Sequence, residues 1–218
     1  MSEIAEQKDT VVIARSTGAD GAFTARLRVE TRGHHEAIER NRRLRRLTQA
    51  DLSVVEYVAI LTRMVAFLGP VEAALRPWKD RFSPSLEMDA RLTKTDLLRR
   101  DIAALAPGLV AARAAPDALA FGQLATLERA WGCLYVFEGA TLGGQLLARS
   151  LHEQFGFTAE HGTAFYNSYG KQTGARWQAF KSALNASVAN QSLEESEIIA
   201  SAQSTFQSMN EWMDGGGD

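Results

Sequence analysis

Apolar residues recur every three to four positions along most of this chain, and no segment shows a convincing alternation of apolar and polar residues. That period belongs to amphipathic helices, so the core must be built from helix faces. The pattern predicts a helix from about Thr24 to Asn41, with Leu27, Thr31 and Ile38 on one face. A second starts near Thr48 and carries Leu52, Val55, Ile60, Met64 and Phe67 up to "LGP". A short one holds Val71, Ala74 and Leu75, and another covers about Leu92 to Leu105, stopped by "APG". A long helix runs from about Asp117 to Phe155. The connection "FGFTAEHGTAFYNSYGKQTG" leads to a helix from about Ala175 to Ala189. The last helix begins at Ser192, where "SLEE" reads as a capping box, with Ser192 capping and Glu195 reaching back. The expected fold is all-α, a single-domain bundle with two layers of helices over residues 23–213. Residues 1–22 read as a loose arm, with "VVIA" (Val11 to Ala14) able to pin it to the body, and residues 214–218 as a fraying tail.

Composition removes several function classes. A net charge of −2 gives no global attraction to nucleic acid or membrane. The single cysteine, Cys133, excludes an internal disulfide and any CxxC metal site. No apolar run reads as a membrane span, and "MSEIAEQKDT" lacks the basic and apolar parts of a signal peptide, so a cytoplasmic protein is expected.

The stretch "YVFEGATLGGQLLARS", Tyr135 to Ser150, favours helix but holds Gly139, Gly143 and Gly144. Each glycine inside a helix costs about 1 kcal/mol relative to Ala. Gly139 and Gly143 are one turn apart and share a face, while Gly144 lies about 100° further round. Two explanations stand side by side. The glycines permit tight helix–helix packing, or they let a flat ligand lie against the backbone. A phosphate cradle does not fit, because no strand precedes the glycines and they do not open a helix.

Four histidines are present: His34, His35, His152 and His161. Periodicity does not choose between the adjacent pair on the first helix: relative to Leu27, His35 lies about 80° round and His34 about −20°. The neighbourhood favours His35, with Thr31 one turn before it and Glu39 one turn after. A metal-ligating imidazole needs its other nitrogen held, and Glu39 is placed to do so directly or through water. No second histidine or carboxylate pairs with these at zinc-like spacing. A single protein ligand implies a metal whose other ligands come from a cofactor, of which haem is the obvious one.

Four blocks then make the chain resemble the haem oxygenase family, in particular its bacterial, biliverdin-producing branch associated with bacteriophytochromes. They are "LRVETRGHHEAIE", "LTQADLSVVEYVAILTRMVAFLGPVEAAL", "RLTKTDLLRRDIAAL" and "LYVFEGATLGGQLLARSL", with "GTAFYNSYGKQTGARWQAFKSAL" also fitting. The resemblance covers about Thr24 to Met213, and the first and fourth blocks are the specific ones. It implies a proximal helix carrying His35 as iron ligand, with Thr31 and Glu39 beside it. It implies a distal helix on which Gly139 and Gly143 approach the haem and Gly144 supplies flexibility. Arg28, Arg32, Lys181 and Tyr135 are the implied partners of the haem propionates. Haem would be both substrate and cofactor, cleaved with O2 and external electrons to biliverdin, ferrous iron and CO.

Two positions depart from the family pattern. Many members have an aspartate after the first distal glycine, where it organises water. Here Ala140 stands there, followed by Thr141, which leaves open the group that holds the water. Trp177 occupies a position where some members place a cation near the propionates. The run "ERNRRLRR" (Glu39 to Arg46) holds five arginines. It reads either as a solvated helix end or as a docking site, Arg40 to Arg46, for an acidic electron donor such as a ferredoxin or a reductase. A bacteriophytochrome is the implied acceptor of the product. Two rivals remain at this level: a non-catalytic haem-binding sensor or carrier on the same fold, and a thiaminase II-like enzyme using Cys133 as nucleophile.

Overall fold

Of the predicted helices, the last is the one that organises the others. In a computed structural model describing residues 21–108, 124–191 and 193–215, the helices are α1 (Ala22–Glu30), α2 (Arg32–Glu39), α3 (Arg42–Arg46), α4 (Val54–Leu75), α5 (Met88–Arg91), α6 (Lys94–Leu105), α7 (Leu127–Phe155), α8 (Thr173–Gln191) and α9 (Glu195–Asp214). Helix α9 packs on α7 and also on α2, α3 and α4. Its buried face is Ile198, Ile199, Ala202, Thr205, Phe206 and Met213. One contiguous core joins these to Leu27, Tyr57, Leu61, Trp131, Phe180 and Leu184. Among the described residues the fold is all-α, with only isolated β-bridges at Thr158.

Several expectations lie outside the described residues: the arm up to residue 20 with "VVIA", the start of the long helix near Asp117, the capping box at Ser192, and the last three residues of the tail. Others are corrected. The first predicted helix divides at Thr31 into α1 and α2, although hydrogen bonds run through the joint. Thr31 N donates to Leu27 O at 3.0 Å, and His35 N donates to Thr31 O at 3.0 Å. Asn41 then caps α3, its side chain accepting from Arg43 N and Leu44 N, and its amide donates to Asn210 of α9.

The second predicted helix begins later than Thr48 and does not stop at "LGP". Ser53 caps it in a capping box with Glu56, and it runs through Pro70 to Leu75, absorbing the short helix expected after it. Proline in a helix crowds the Cβ of the residue before it. That residue is Gly69, which has none. By length and composition α4 passes for a membrane span, contrary to the reading of the sequence. Its apolar window is 61% buried in the core, as a core helix's would be.

Candidate functional site

The candidate iron ligand and the glycines sit on two helices, α2 and α7, and α9 packs on both of them. On α2, His35 is half-buried, with Phe206 of α9 meeting its ring edge-on at 5.8 Å. Its Nδ1 lies 3.7 Å from the Glu39 carboxylate, one turn on, within ion-pair distance and slightly beyond a direct hydrogen bond. Thr31 is fully buried and its hydroxyl donates to Leu27 O at 2.7 Å, so it links α1 to α2. The hydroxyl expected among the cofactor contacts is committed to the backbone. Arg28 and Arg32 are exposed on α1 and at the start of α2, and His34 is half-buried.

On α7 the glycines differ in what stands where a side chain would be. A Cβ on Gly139 would meet the Trp177 ring at 3.7 Å, an ordinary contact. One on Gly144 would press on the Tyr166 carbonyl at 2.9 Å. Gly144 therefore admits the 163–170 connection to the helix surface, a packing reason that the expected flexibility does not need. Gly143 is buried. Sequence reasoning overlooked Gly132, on nearly the same face as Gly139, where a Cβ would collide with the Ile198 carbonyl and stand 2.9 Å from Ala202 N. The signal was present as a third small residue seven positions upstream.

Beside Gly139 the structure gathers Tyr135, Trp177 and Lys181. The rings of Tyr135 and Trp177 are 5.7 Å apart, and Trp177 stacks on Phe180 at 5.4 Å. Lys181 is 4% exposed, with its ammonium 5.8 Å from the Trp177 ring. Lys181 and Tyr135 thus fall together with the distal glycine, while Arg32 lies on α2 with His35 and Arg28 on the preceding α1. Trp177, noted as a departure, borders the glycine directly. Ala140 is exposed, and the Thr141 hydroxyl donates to Glu138 O at 2.6 Å, so neither stands in for the missing carboxylate.

The residue before Gly139 was missed altogether. Glu138 is 1% exposed in the middle of an apolar run. Its carboxylate accepts from Arg91, from Lys94 Nζ at 2.9 Å and from the Tyr169 hydroxyl at 2.8 Å. A lone acid in "CLYVFEG" was the available signal, since a buried charge demands partners.

Cys133 is fully buried, and burial pushes its thiol up to about 12, with a hydrogen bond to Thr205 opposing. A thiol held protonated is a poor nucleophile, which removes the chemical basis of a cysteine enzyme. The arginine run is partly neutralised. Arg46 binds Asp51 at 2.8 Å and Glu56 at 3.1 Å, and Arg40 lies 3.8 Å from Glu36, while Arg42 and Arg45 are exposed.

The donor set fits haem. A half-buried imidazole has a carboxylate 3.7 Å from its Nδ1, and α7, which packs on α9 as α2 does, lacks side chains at adjacent turns. A buried cation and two aromatic rings stand beside that gap. Comparison with known proteins agrees. The fold is similar to that of a heme oxygenase from Leptospira interrogans, with a TM-score of 0.74 at 19% identity, covering 89% of this chain and 99% of that one. It is also similar to heme oxygenase 2 from Chlamydomonas reinhardtii, solved without heme, with a TM-score of 0.66 at 15% identity, covering 88% of this chain and 96% of that one. A search of curated proteins returned no match. The heme oxygenase family model matches residues 21–215, nearly the whole described chain, and the protein belongs to the haem oxygenase family.

Proposed function

We propose that this haem oxygenase holds its substrate between His35 of α2 and the Gly139–Gly143 face of α7. The enzyme cleaves haem with O2 and external electrons to biliverdin, ferrous iron and CO. Bound haem supplies the redox and oxygen chemistry, and the protein supplies binding, orientation and exclusion of water. The observation that carries the assignment is the Glu39 carboxylate 3.7 Å from His35 Nδ1. A carboxylate beside Nδ1 would hold that nitrogen, directly or through water, and leave Nε2 for the iron. A neutral imidazole pushes less electron density than a thiolate, which would favour O–O cleavage over attack on the macrocycle.

On the distal side Gly139 and Gly143 bring the backbone of α7 against the haem face. Side chains there would crowd the haem face, whereas bare backbone would leave it room. Lys181 is the strongest propionate partner, because a buried cation interacts in a low-dielectric setting. Tyr135 and Trp177 flank it, and Arg28 and Arg32 are placed for the exposed propionate edge.

The "LYVFEGATLGGQLLARSL" block supports the bacterial, biliverdin-producing branch, with a bacteriophytochrome taking the product and a cytoplasmic setting. Members of the family draw electrons from a reductase or a ferredoxin. Arg42 and Arg45, exposed on α3, are the docking cations for such an acidic donor, and Arg46 is excluded because its charge is spent on Asp51 and Glu56.

The test is the ferric haem spectrum of His35→Ala and His34→Ala. His35→Ala is expected to lose the axial imidazole signature and regain it when free imidazole is added, and His34→Ala to keep it. Loss in His34→Ala with retention in His35→Ala would overturn the assignment. Ascorbate-driven bilin formation by the wild-type protein separates turnover from passive haem binding.

A further inference from the structure

The buried charge cluster around Glu138 is not needed by the haem contacts themselves. Its Glu138 carboxylate ties α7 to α5 and α6, and through Arg91 and Lys94 the cluster reaches α8 and α4. Arg91, the last residue of α5, meets Glu138 with one nitrogen, donates through Nε to Leu86 O at 2.7 Å, and donates through Nη2 to Arg176 O of α8 at 3.1 Å. Lys94, the first residue of α6, bonds Glu138, Tyr169 and Arg91 O at 2.9–3.1 Å. Glu72 of α4 accepts from Lys94 N at 2.6 Å and caps α6. The Tyr169 ring carries Lys94 and Arg176 at 4.9 and 5.0 Å. Arg91, Lys94 and Glu138 are nearly inaccessible to water.

Glu138 directly precedes Gly139 and lies about 100° round the helix from it. A helix face without side chains cannot fix its own rotation by interlocking with a neighbour, since interlocking needs ridges. The glycine face of α7 therefore needs its orientation set from another side, and the fully partnered carboxylate is on the adjoining one. We propose that Glu138 is the positioning residue of the distal wall, a buried anchor that fixes the rotation of α7 so that Gly139 and Gly143 stay turned toward the haem. The proposal rests on those glycines forming the haem wall. Burial pulls the Lys94 ammonium down to about 7, with Glu72 opposing, so Lys94 can release its proton if the Glu138 charge is removed. That gives Glu138→Gln a route to a folded state without two unpaired buried cations.

The experiment compares wild type, Glu138→Gln, Glu138→Asp and Tyr169→Phe. Amide hydrogen exchange of the apo protein is followed across Gly139–Gly144, with Leu127–Cys133 as the control segment. Glu138→Gln should speed exchange at Gly139–Gly144 by about tenfold and leave the control unchanged, because the anchor is lost only locally. Glu138→Asp should recover most of the protection. With haem bound, Glu138→Gln should keep the imidazole-ligated spectrum but broaden the biliverdin isomer composition. Wild-type exchange and wild-type isomers in folded Glu138→Gln would overturn the proposal. Should Glu138→Gln not fold, Tyr169→Phe decides, because it keeps both cations on Glu138 and removes only the two hydrogen bonds of the Tyr169 hydroxyl, to Glu138 and from Lys94. An increase of about threefold at Gly139–Gly144 supports the anchor, and unchanged exchange overturns it. Full turnover in Gly143→Leu would instead sink the haem-wall reading and leave the exchange result standing.

Discussion

Helix α7 uses the same residue for opposite purposes near its start and near its middle. At Gly132 the place of a side chain is filled by the backbone of α9, with the Ile198 carbonyl and Ala202 N pressed against the helix. At Gly139, seven residues on and almost on the same face, the place is bordered only by the Trp177 ring at ordinary contact distance. One glycine brings two helices together, and the other keeps a surface bare. Of the two explanations left open by sequence, close helix packing holds at Gly132, and the contact at Gly139 leaves room for the other. A glycine inside a helix reports close approach without saying what approaches.

Gly132→Ala should show the largest effect. Its methyl would meet backbone on α9, which cannot rotate away as a side chain does. Overpacking costs about 1–3 kcal/mol, and immovable backbone places this site at the upper end. The gain in helix propensity, about 1 kcal/mol, offsets only part. Melting of the apo protein should fall by about 4–8 °C. A stable Gly132→Ala variant would break the comparison, because both positions on α7 would then tolerate a side chain.

Gly144→Ala should be intermediate. The obstacle is again a carbonyl, that of Tyr166, at 2.9 Å. Tyr166, however, belongs to the 163–170 connection, which lacks the hydrogen-bond ladder of a long helix and can shift by a few tenths of an ångström. The propensity gain and the strain should nearly cancel, leaving a loss of about 1 kcal/mol or less. Urea unfolding measures this directly, and a loss as large as that of Gly132→Ala would show that the connection is as rigid as α9.

How much of this was legible in the sequence differs by residue for physical reasons. The helices were readable because their periodicity is local. The end of α4 was not, because the helix-breaking tendency of Pro70 is relieved by its neighbour Gly69 and by burial within the core. The capping box of Ser53 and Glu56 was overlooked, because the second helix was read as starting near Thr48. His35 and Glu39 could be paired from spacing alone, since one turn of helix sets their separation. Glu138 could not be given its partners, because Arg91, Lys94 and Tyr169 come from 31 to 47 residues away and meet only in the folded chain. Thr31 was given a site role from spacing, and the structure turns its hydroxyl to Leu27 O, since a buried threonine on a helix finds its nearest acceptor one turn back.

Gly139→Ala should have the smallest effect on the fold and the most informative one. Its methyl would stand 3.7 Å from the Trp177 ring, so no atom need move. The helix gains about 1 kcal/mol of propensity, and the apo protein should melt about 2–4 °C higher than wild type. With haem, the expectation reverses. If haem lies against this face, the added methyl would take space beside it that the bare backbone leaves open. Bilin formation should then fall while apo stability rises, a combination that a packing glycine cannot produce. Measured side by side with Gly132→Ala, the two variants should move in opposite directions in the apo protein. Should Gly139→Ala raise stability and leave turnover unchanged, the bare face of α7 would be unused by the substrate. The distal wall would then have to be sought elsewhere on the helix.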